Sequence, residues 1–145
     1  MKSINILLVE DNDGDIILTQ DALSLGMINC HTSVVKDGWE ALQYIWKQGK
    51  YENVQAPDLI LLDINLPKMN GHEVLHRLKE NLHTRHIPVI MLTTSSSDID
   101  IQSAYLNYAN CYITKPVDAD DYTGVILSIE NFWGSIAQLP GSYKN

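Results

Sequence analysis

The nine residues Leu59-Ile60-Leu61-Leu62-Asp63-Ile64-Asn65-Leu66-Pro67 decide the fold that we predict for this chain. Four apolar residues lead directly into an aspartate and then a turn, which is typical of a short strand buried on both faces of a parallel sheet. Open α/β sheets bind their ligands outside the carboxyl ends of such strands. Asp63 therefore stands where a functional carboxylate is expected, although an aspartate here could equally cap the next helix.

The composition indicates one acidic globular domain. The chain has 145 residues, 45% of them hydrophobic, and a formal net charge of -8. Binding to a nucleic-acid backbone needs clustered Lys and Arg, so we expect no nucleic-acid partner. No apolar run approaches the ~20 residues of a membrane span, and we expect a cytoplasmic protein. Cys30 and Cys111 are predicted to be small buried hydrophobes rather than a disulfide or a metal pair.

Strand and helix patterns alternate five times along the chain, and this predicts parallel strands joined by right-handed crossovers. The predicted fold class is α/β: a doubly wound, five-stranded parallel sheet of strand order 2-1-3-4-5, as in flavodoxin-like folds. The predicted strands are 4–9, 30–35, 58–62, 88–92 and 111–114; the predicted helices are 13–25, 39–48, a third ending near 82, 98–108 and 118–133.

Polar side chains stand at the carboxyl ends of four of these strands. The first strand leads into Glu10 and Asp11, the third into Asp63, the fourth into Thr93 and the fifth into Lys115. Because the first and third strands are neighbours in this order, the three carboxylates should converge and repel one another. A hard divalent cation relieves that repulsion, and oxygen ligands with room for water suit Mg²⁺. The absence of thiolate or imidazole at this edge disfavours zinc.

This arrangement suits the formation of an aspartyl phosphate. Asp63 would attack phosphorus, Mg²⁺ and Lys115 would offset the charge on the phosphoryl oxygens, and Thr93 would donate a hydrogen bond to one of them. Each residue also has an ordinary structural explanation, as a strand end, a turn former or a helix-entry charge. Their joint placement at one edge favours the functional interpretation.

Two other functions fit the same fold less well. A Mg²⁺-dependent phosphatase with an aspartyl nucleophile usually needs a second acid two residues after the nucleophile, and this chain has Asn65 there. A flavin-binding electron carrier needs a phosphate loop after the first strand, where the acidic run 10–13 would repel phosphate. The phosphatase is the stronger of these alternatives.

Four separate segments resemble the receiver domains of two-component response regulators, in the right order and over about residues 4–134. These segments are LVEDN at 8–12, DINLPKMNG at 63–71, PVIMLTT at 88–94 and YITKP at 112–116. The resemblance implies that Asp63 is the phospho-acceptor. It also implies that Asp11, Asp63 and the backbone carbonyl of Asn65 bind Mg²⁺, with Glu10 acting through water.

The resemblance further assigns a conformational switch. Thr93 resembles the switch hydroxyl, Lys115 the lysine that faces the phosphoryl group, and Tyr112 the aromatic residue that turns inward when Thr93 moves. It implies a cis peptide between Lys115 and Pro116. The output would be a two-state shift of the face built from the fourth helix, fifth strand and fifth helix.

Shorter segments resemble the small stand-alone regulators paired with phytochrome-type histidine kinases. These segments are 49–53, 110–112, 129–133 and 139–140. The resemblance implies a sensor histidine kinase as partner, red light as the input and a homodimer. We expect a single receiver domain over 1–145, with a tail at 135–145 and no output domain, that acts by contact with an unknown downstream protein or by onward phosphotransfer.

Six further residues carry structural expectations. Gly26 is expected in the left-handed conformation that ends a helix. His72 and His76 are expected on a solvated helix face. Tyr108 stands where many receivers carry glycine and is assigned to a subunit contact rather than a tight turn. Phe132 and Trp133 together are a candidate for an exposed apolar dimer contact, although both rings could instead fold back on the sheet.

Overall fold

Five parallel strands form the central sheet of this computed structural model, which describes residues 3–140. The strand order is 2-1-3-4-5, so the predicted fold class and topology are confirmed. The strands are β1 (Ile4–Val9), β2 (Cys30–Val35), β3 (Leu59–Leu62), β4 (Val89–Thr93) and β5 (Cys111–Thr114). The helices are α1 (Asp13–Leu25), α2 (Gly38–Ile45), α3 (Gly71–Glu80), α4 (Asp98–Leu106) and α5 (Ala119–Asn131).

The central strand β3 is buried on both faces, as its apolar run predicts. Ile60 and Leu62 belong to the apolar cluster that includes residues of α2, α3 and α4. Leu59 and Leu61 belong to the opposite cluster, which includes residues of α1 and α5. Alternate strand residues point to opposite faces, so four consecutive apolar residues are needed to serve two helical layers.

A short polar side chain caps the N-terminus of every helix from α1 to α5. Each cap accepts a hydrogen bond from the backbone N–H three residues later, which satisfies one of the helix's free donors. The capping residues are Asn12, Asp37, Asn70, Ser97 and Asp118. Between residues 3 and 140, no helix is long and apolar enough to cross a membrane.

The helices α2 to α5 each end two or three residues before the predicted bound, and the ends of α2 and α5 are the most informative. Helix α2 ends at Ile45, three residues before the predicted end, because Lys47 has φ +56° and Gly49 has φ +59°. Such values lie outside the right-handed helical region. Helix α5 ends at Asn131 and continues as a π-helical turn, Phe132–Ile136. Single-residue propensities did not signal either change.

Gly26 follows α1 for a reason other than the predicted one. Its φ is -74°, which is an ordinary value, so the expected left-handed conformation is wrong. A Cβ at this position would lie 1.6 Å from Oε1 of Glu130 on α5. Glu130 is 4% exposed, and its carboxylate accepts from Ile28 N–H at 3.4 Å and from the Cys30 thiol at 3.9 Å. Glycine is needed here for close packing.

Tyr108 forms a tight turn, so the expectation of a subunit contact in place of a turn is wrong in that respect. Its φ is +69°, and its ring is exposed. The following residue, Ala109, donates its N–H to the Ala104 carbonyl at 3.0 Å, which closes the end of α4. A tyrosine therefore adopts a conformation that glycine adopts at less cost.

Candidate functional site

The residues predicted to form the site meet at the carboxyl edge of the sheet. β1 leads into Glu10, β3 into Asp63 and β5 into Lys115, and Thr93 is the last residue of β4. The parallel ladder continues past β3, because the Asp63 N–H donates to the Val9 carbonyl at 3.1 Å. The strand order thus brings four separate parts of the sequence to one place.

Lys115 lies at the centre of this site with its side chain almost fully buried. Its ammonium donates to Oε1 of Glu10, to Oδ2 of Asp15 at 2.9 Å and to Oδ2 of Asp63 at 3.2 Å. Buried charges are stable only when partners of opposite charge and hydrogen bonds replace water, and three carboxylates provide both. Lys115 therefore orients Glu10 and Asp63 toward each other.

The network of charges changes the proton affinity of its members. Burial raises the pKa of Glu10 to about 7, with the hydrogen bond from Lys115 opposing this and the charge of Asp63 adding to it. Burial by itself lowers the pKa of Lys115, but hydrogen bonds to Glu10 and Asp15 and the charge of Asp63 outweigh it, so the pKa is raised. Lys115 therefore stays cationic throughout the neutral range.

Three carboxylates at this edge can approach one cation. One oxygen each from Glu10, Asp11 and Asp63 lies within 4.8 Å of the others. Asp11 is exposed, so water can reach this group. An all-oxygen set that is open to water fits a hard divalent ion such as Mg²⁺ or Mn²⁺. Asn65 lies on the exposed loop after β3, and metal contact through its backbone carbonyl stays a prediction.

The hydroxyl of Thr93 is buried and has no hydrogen-bond partner within the described part of the chain. The residue itself is 0% exposed, and its carbonyl accepts from Lys115 N–H at 2.7 Å. A buried polar atom without a partner is unusual and costs free energy. An acceptor oxygen arriving between Asp63 and Thr93 would satisfy this hydroxyl.

Tyr112, the predicted switch aromatic, contacts the loop between β4 and α4. Tyr112 is half-buried on β5, and its hydroxyl donates to the Ser95 carbonyl at 2.8 Å. Ser95 is two residues after Thr93 in this loop. The coupled movement of Thr93 and Tyr112 stays a prediction, and the geometry supplies a direct contact through which the loop can influence Tyr112.

The two histidines of α3 have different surroundings, which the sequence did not predict. His72 is half-buried, and its Nε2 lies 2.9 Å from Oδ1 of Asp100 on α4, so the expected solvated position is wrong. His76 is exposed as predicted, and its Nδ1 lies 3.0 Å from Oδ1 of Asn107. The difference arises because α3 contacts α4 and His72 lies beside Asp100 there, a contact that periodicity does not reveal.

The model of the response regulator receiver domain family matches residues 6–126 of this chain. The chain belongs to this family. Among its relatives, the response regulator Rcp1 of Synechocystis is 41% identical over 137 residues, covering 94% of this chain and 93% of Rcp1. FilR2 of Methanothrix harundinacea, a probable methanogenesis regulatory protein, is 37% identical over 136 residues, covering 94% of this chain and 87% of FilR2.

Two solved response regulators have similar structures to this receiver domain. The phosphorylated cyanobacterial phytochrome response regulator RcpA has a TM-score of 0.94 and 43% identity, covering 96% of this chain and 99% of RcpA. The Mn²⁺-bound form of Rcp1 has a TM-score of 0.91 and 41% identity, covering 94% of this chain and 99% of Rcp1. These matches confirm the predicted family and support phosphoryl acceptance over the phosphatase alternative.

Sequence reasoning missed one residue of the receiver site. Asp15, in the first turn of α1, accepts a hydrogen bond from the Lys115 ammonium, although only Glu10 and Asp11 were singled out in this acidic segment. The available signal was position: Asp15 lies in the first turn of the predicted helix 13–25, which begins at the carboxyl edge of the sheet just after Glu10 and Asp11.

The expected cis peptide before Pro116 is wrong. The structure contains no cis peptide bond in residues 3–140, so the Lys115–Pro116 bond is trans. The trans isomer is favoured for most X–Pro bonds by about 0.5–1 kcal/mol, and no neighbouring residue in the sequence argued for cis. The prediction rested on the family resemblance alone.

Proposed function

We propose that this receiver domain accepts a phosphoryl group on Asp63 in a reaction that depends on Mg²⁺. The observation that carries the proposal is the Lys115 ammonium, which contacts Asp63 and Glu10 beside the buried, unpaired hydroxyl of Thr93. A nucleophile, a fixed cation and a free donor at one edge are the parts that phosphoryl transfer to a carboxylate needs.

In the proposed reaction, one oxygen of Asp63 attacks phosphorus, and the bond from phosphorus to the donor breaks with its electron pair. A phosphohistidine donor leaves as imidazole, and acetyl phosphate leaves as acetate. Lys115 already donates to Asp63 Oδ2 at 3.2 Å, so its charge is in place when the phosphoryl oxygens arrive. Thr93 then donates its hydroxyl hydrogen to one of these oxygens.

A divalent cation would be held by Glu10, Asp11 and Asp63, whose oxygens already lie close together. When bound, the ion offsets negative charge on the phosphoryl oxygens and keeps the carboxylates ionised. The existence of a Mn²⁺-bound form of Rcp1 supports divalent-metal binding by this chain.

Intact-protein mass spectrometry after incubation with acetyl phosphate tests the proposal. We expect the wild type to gain one phosphoryl group with Mg²⁺ and none with chelator. Asp63→Asn should gain none, whereas Asp21→Asn, which changes an exposed aspartate of α1, should behave as the wild type does. A phosphoryl gain that persists in Asp63→Asn would contradict the assignment of Asp63.

Alanine variants of Thr93 and Thr94 form a matched pair that tests the role of the Thr93 hydroxyl. Thr93 is buried and Thr94 is exposed, so the two variants to alanine remove the same atoms from different surroundings. We expect Thr93→Ala to slow phosphorylation at least tenfold, because it removes a hydrogen bond made only to the incoming group. Thr94→Ala should leave the rate unchanged or raise it slightly by widening access.

We further propose that the phosphoryl donor is a phytochrome-type histidine kinase. The similarity to RcpA, a cyanobacterial phytochrome response regulator, supports this partner, and red light as the input stays a prediction. Bacteriophytochrome response regulators AtBRR and RtBRR are also similar, with 38% and 37% identity. Phosphotransfer should be faster from a phytochrome-type kinase than from an unrelated histidine kinase at equal concentration, and equal rates would contradict this proposal.

The homodimer and the downstream contact also belong to the proposal. Phe132 is half-exposed at the end of α5, whereas Trp133 packs partly against the core, so one of the two rings is available for a contact. Light scattering of the wild type and of Phe132→Ser, with and without phosphorylation, tests the dimer. The single receiver domain, its cytoplasmic location and its unknown output partner stay predictions.

A further inference from the structure

His72, Asp100 and Ser95 form a chain of hydrogen bonds that we call the α3–loop relay. His72 Nε2 lies 2.9 Å from Asp100 Oδ1, and Ser95 Oγ donates to Asp100 Oδ2 at 2.6 Å. The relay joins the first turn of α3 to the first turn of α4 and to the loop after β4. None of these three residues contacts the Lys115 network, so the phosphoryl site described above does not explain them.

The chemistry of the relay fixes the direction of both hydrogen bonds. Asp100 is a carboxylate, since hydrogen bonds from Ser95 and His72 lower its pKa, and it accepts only. Ser95 must therefore donate its hydroxyl hydrogen and His72 must donate from Nε2. Nδ1 of His72 is buried without a partner in residues 3–140, so the contact to Asp100 is made by Nε2 alone.

The relay ends at Ser95, the residue that Tyr112, the predicted switch aromatic, contacts. The carbonyl of Ser95 accepts from the Tyr112 hydroxyl at 2.8 Å, while its side chain is held by Asp100. The Ser97 N–H also donates to Ser95 Oγ at 3.3 Å, next to the cap of α4. With its side chain anchored, Ser95 presents its carbonyl to Tyr112 in one fixed direction.

We propose that His72 and Asp100 are positioning residues that set how readily Asp63 is phosphorylated. They act by holding Ser95 where its carbonyl accepts Tyr112, which keeps the loop after Thr93 in the arrangement that buries the Thr93 hydroxyl. The inference deepens the proposed function and rests on it, because the rate of phosphorylation is one of its two readouts.

Replacing His72 by leucine removes the relay's donor and keeps an apolar contact. We expect His72→Leu to slow phosphorylation by acetyl phosphate about three- to tenfold, which corresponds to one hydrogen bond of ordinary net strength. His72→Gln keeps a donor on a side chain of similar reach and should restore most of the rate. If leucine and glutamine leave the rate equally unchanged, the relay has no positioning role.

His76→Leu is the matched control. His76 lies one turn further along α3 and also bridges to α4, through Asn107 Oδ1 at 3.0 Å, but it has no link to Ser95. A general loosening of the contact between α3 and α4 would slow both leucine variants, and that result would overturn the proposal. Slowing confined to His72→Leu supports it.

A double-mutant cycle separates positioning from simple packing. Ser95→Ala breaks the other end of the relay, so His72→Leu should have much less effect on the rate in that background. Additive effects on the rate in this cycle would contradict the relay.

A second readout does not depend on phosphorylation. The aromatic NMR signals of Tyr112, in protein labelled at tyrosine, should shift in His72→Leu and stay unchanged in His76→Leu. A wild type that takes up no phosphoryl group would defeat the proposed function, and these spectra would still decide the relay. Unshifted Tyr112 signals in His72→Leu would overturn it.

Discussion

Two glutamates are buried in this receiver domain, Glu10 at the carboxyl edge of the sheet and Glu130 at the amino edge. They are 1% and 4% exposed. Glu10 receives the Lys115 ammonium and lies beside Asp63. Among the described residues, Glu130 accepts hydrogen bonds from the Ile28 N–H and the Cys30 thiol, and no cation pairs with it.

The comparison shows that burial of a carboxylate does not identify a functional site. What distinguishes Glu10 is the set of charges around it, which an incoming metal ion and phosphoryl group would complete. Glu130 instead fills the space left by Gly26 and ties the turn after α1 to α5. The surroundings of Glu10 suit the binding of further charged groups, whereas those of Glu130 serve packing.

Lys115→Met removes the cation that distinguishes the surroundings of Glu10 from those of Glu130, and it should have the largest effect on stability. It leaves Glu10 and Asp63 buried together without their cation, so we expect the free energy of unfolding in chelator to fall by about 3 kcal/mol. Mg²⁺ should restore part of this loss. Urea denaturation with chelator and with Mg²⁺ measures both values, and an unchanged midpoint in chelator would show that Lys115 does not stabilise the pair.

The pH dependence of stability should carry the signature of Glu10. Its pKa is raised from 4.5 to about 7 on folding, so the folded state holds the proton more tightly than the unfolded state does. The contribution of Glu10 to the free energy of unfolding is therefore lost as the pH rises between those two values. Relative to Glu10→Gln, the wild type without metal should lose about 2 kcal/mol between about pH 5 and about pH 8. Saturating Mg²⁺ should remove that difference. Parallel pH profiles in chelator would contradict it.

Gly26→Ala tests the packing at the amino edge. The added Cβ would overlap the Glu130 carboxylate, and we expect the free energy of unfolding to fall by about 1.5 kcal/mol. In a Glu130→Ala background the same change should cost far less, because the overlapping atoms are gone. Equal costs in both backgrounds, measured by urea denaturation, would mean that Glu130 does not require the glycine.

Glu130→Gln tests the other buried glutamate, and we expect it to have the smallest effect on stability. Glutamine has nearly the same shape and keeps an oxygen for the Ile28 N–H, and no ion pair is lost. We expect the free energy of unfolding to change by no more than about 0.5 kcal/mol and the rate of phosphorylation to stay the same. A loss as large as that of Lys115→Met would make the two glutamates equivalent.

The sheet and the residues at its edge could be predicted because each depends on a local pattern. Apolar runs such as 59–62 identify buried strands, and strand order then determines which strand ends are neighbours. Glu10, Asp63, Thr93 and Lys115 were found in this way without any contact information.

What could not be predicted depends on contacts between distant segments. The role of Gly26 needs the position of Glu130, and the surroundings of His72 need Asp100, which is 28 residues away. Tyr108 adopts a left-handed conformation that tyrosine rarely adopts, because the surrounding turn determines its backbone angles. These features follow from the packing of helices against one another, and hydrophobic period alone does not specify it.

The capped helix starts have a consequence for how donors reach the site. The helices from α1 to α5 begin on the same side as Asp63, because each follows a strand of the parallel sheet. Their first turns carry many acidic residues: Asp13, Asp15, Glu40, Glu73, Asp98, Asp100, Asp120 and Asp121. Much of the net charge of -8 therefore faces whatever approaches this edge. Small anionic donors meet electrostatic repulsion during diffusion, whereas a protein surface rich in Lys and Arg would be steered into encounter, and low ionic strength widens that difference.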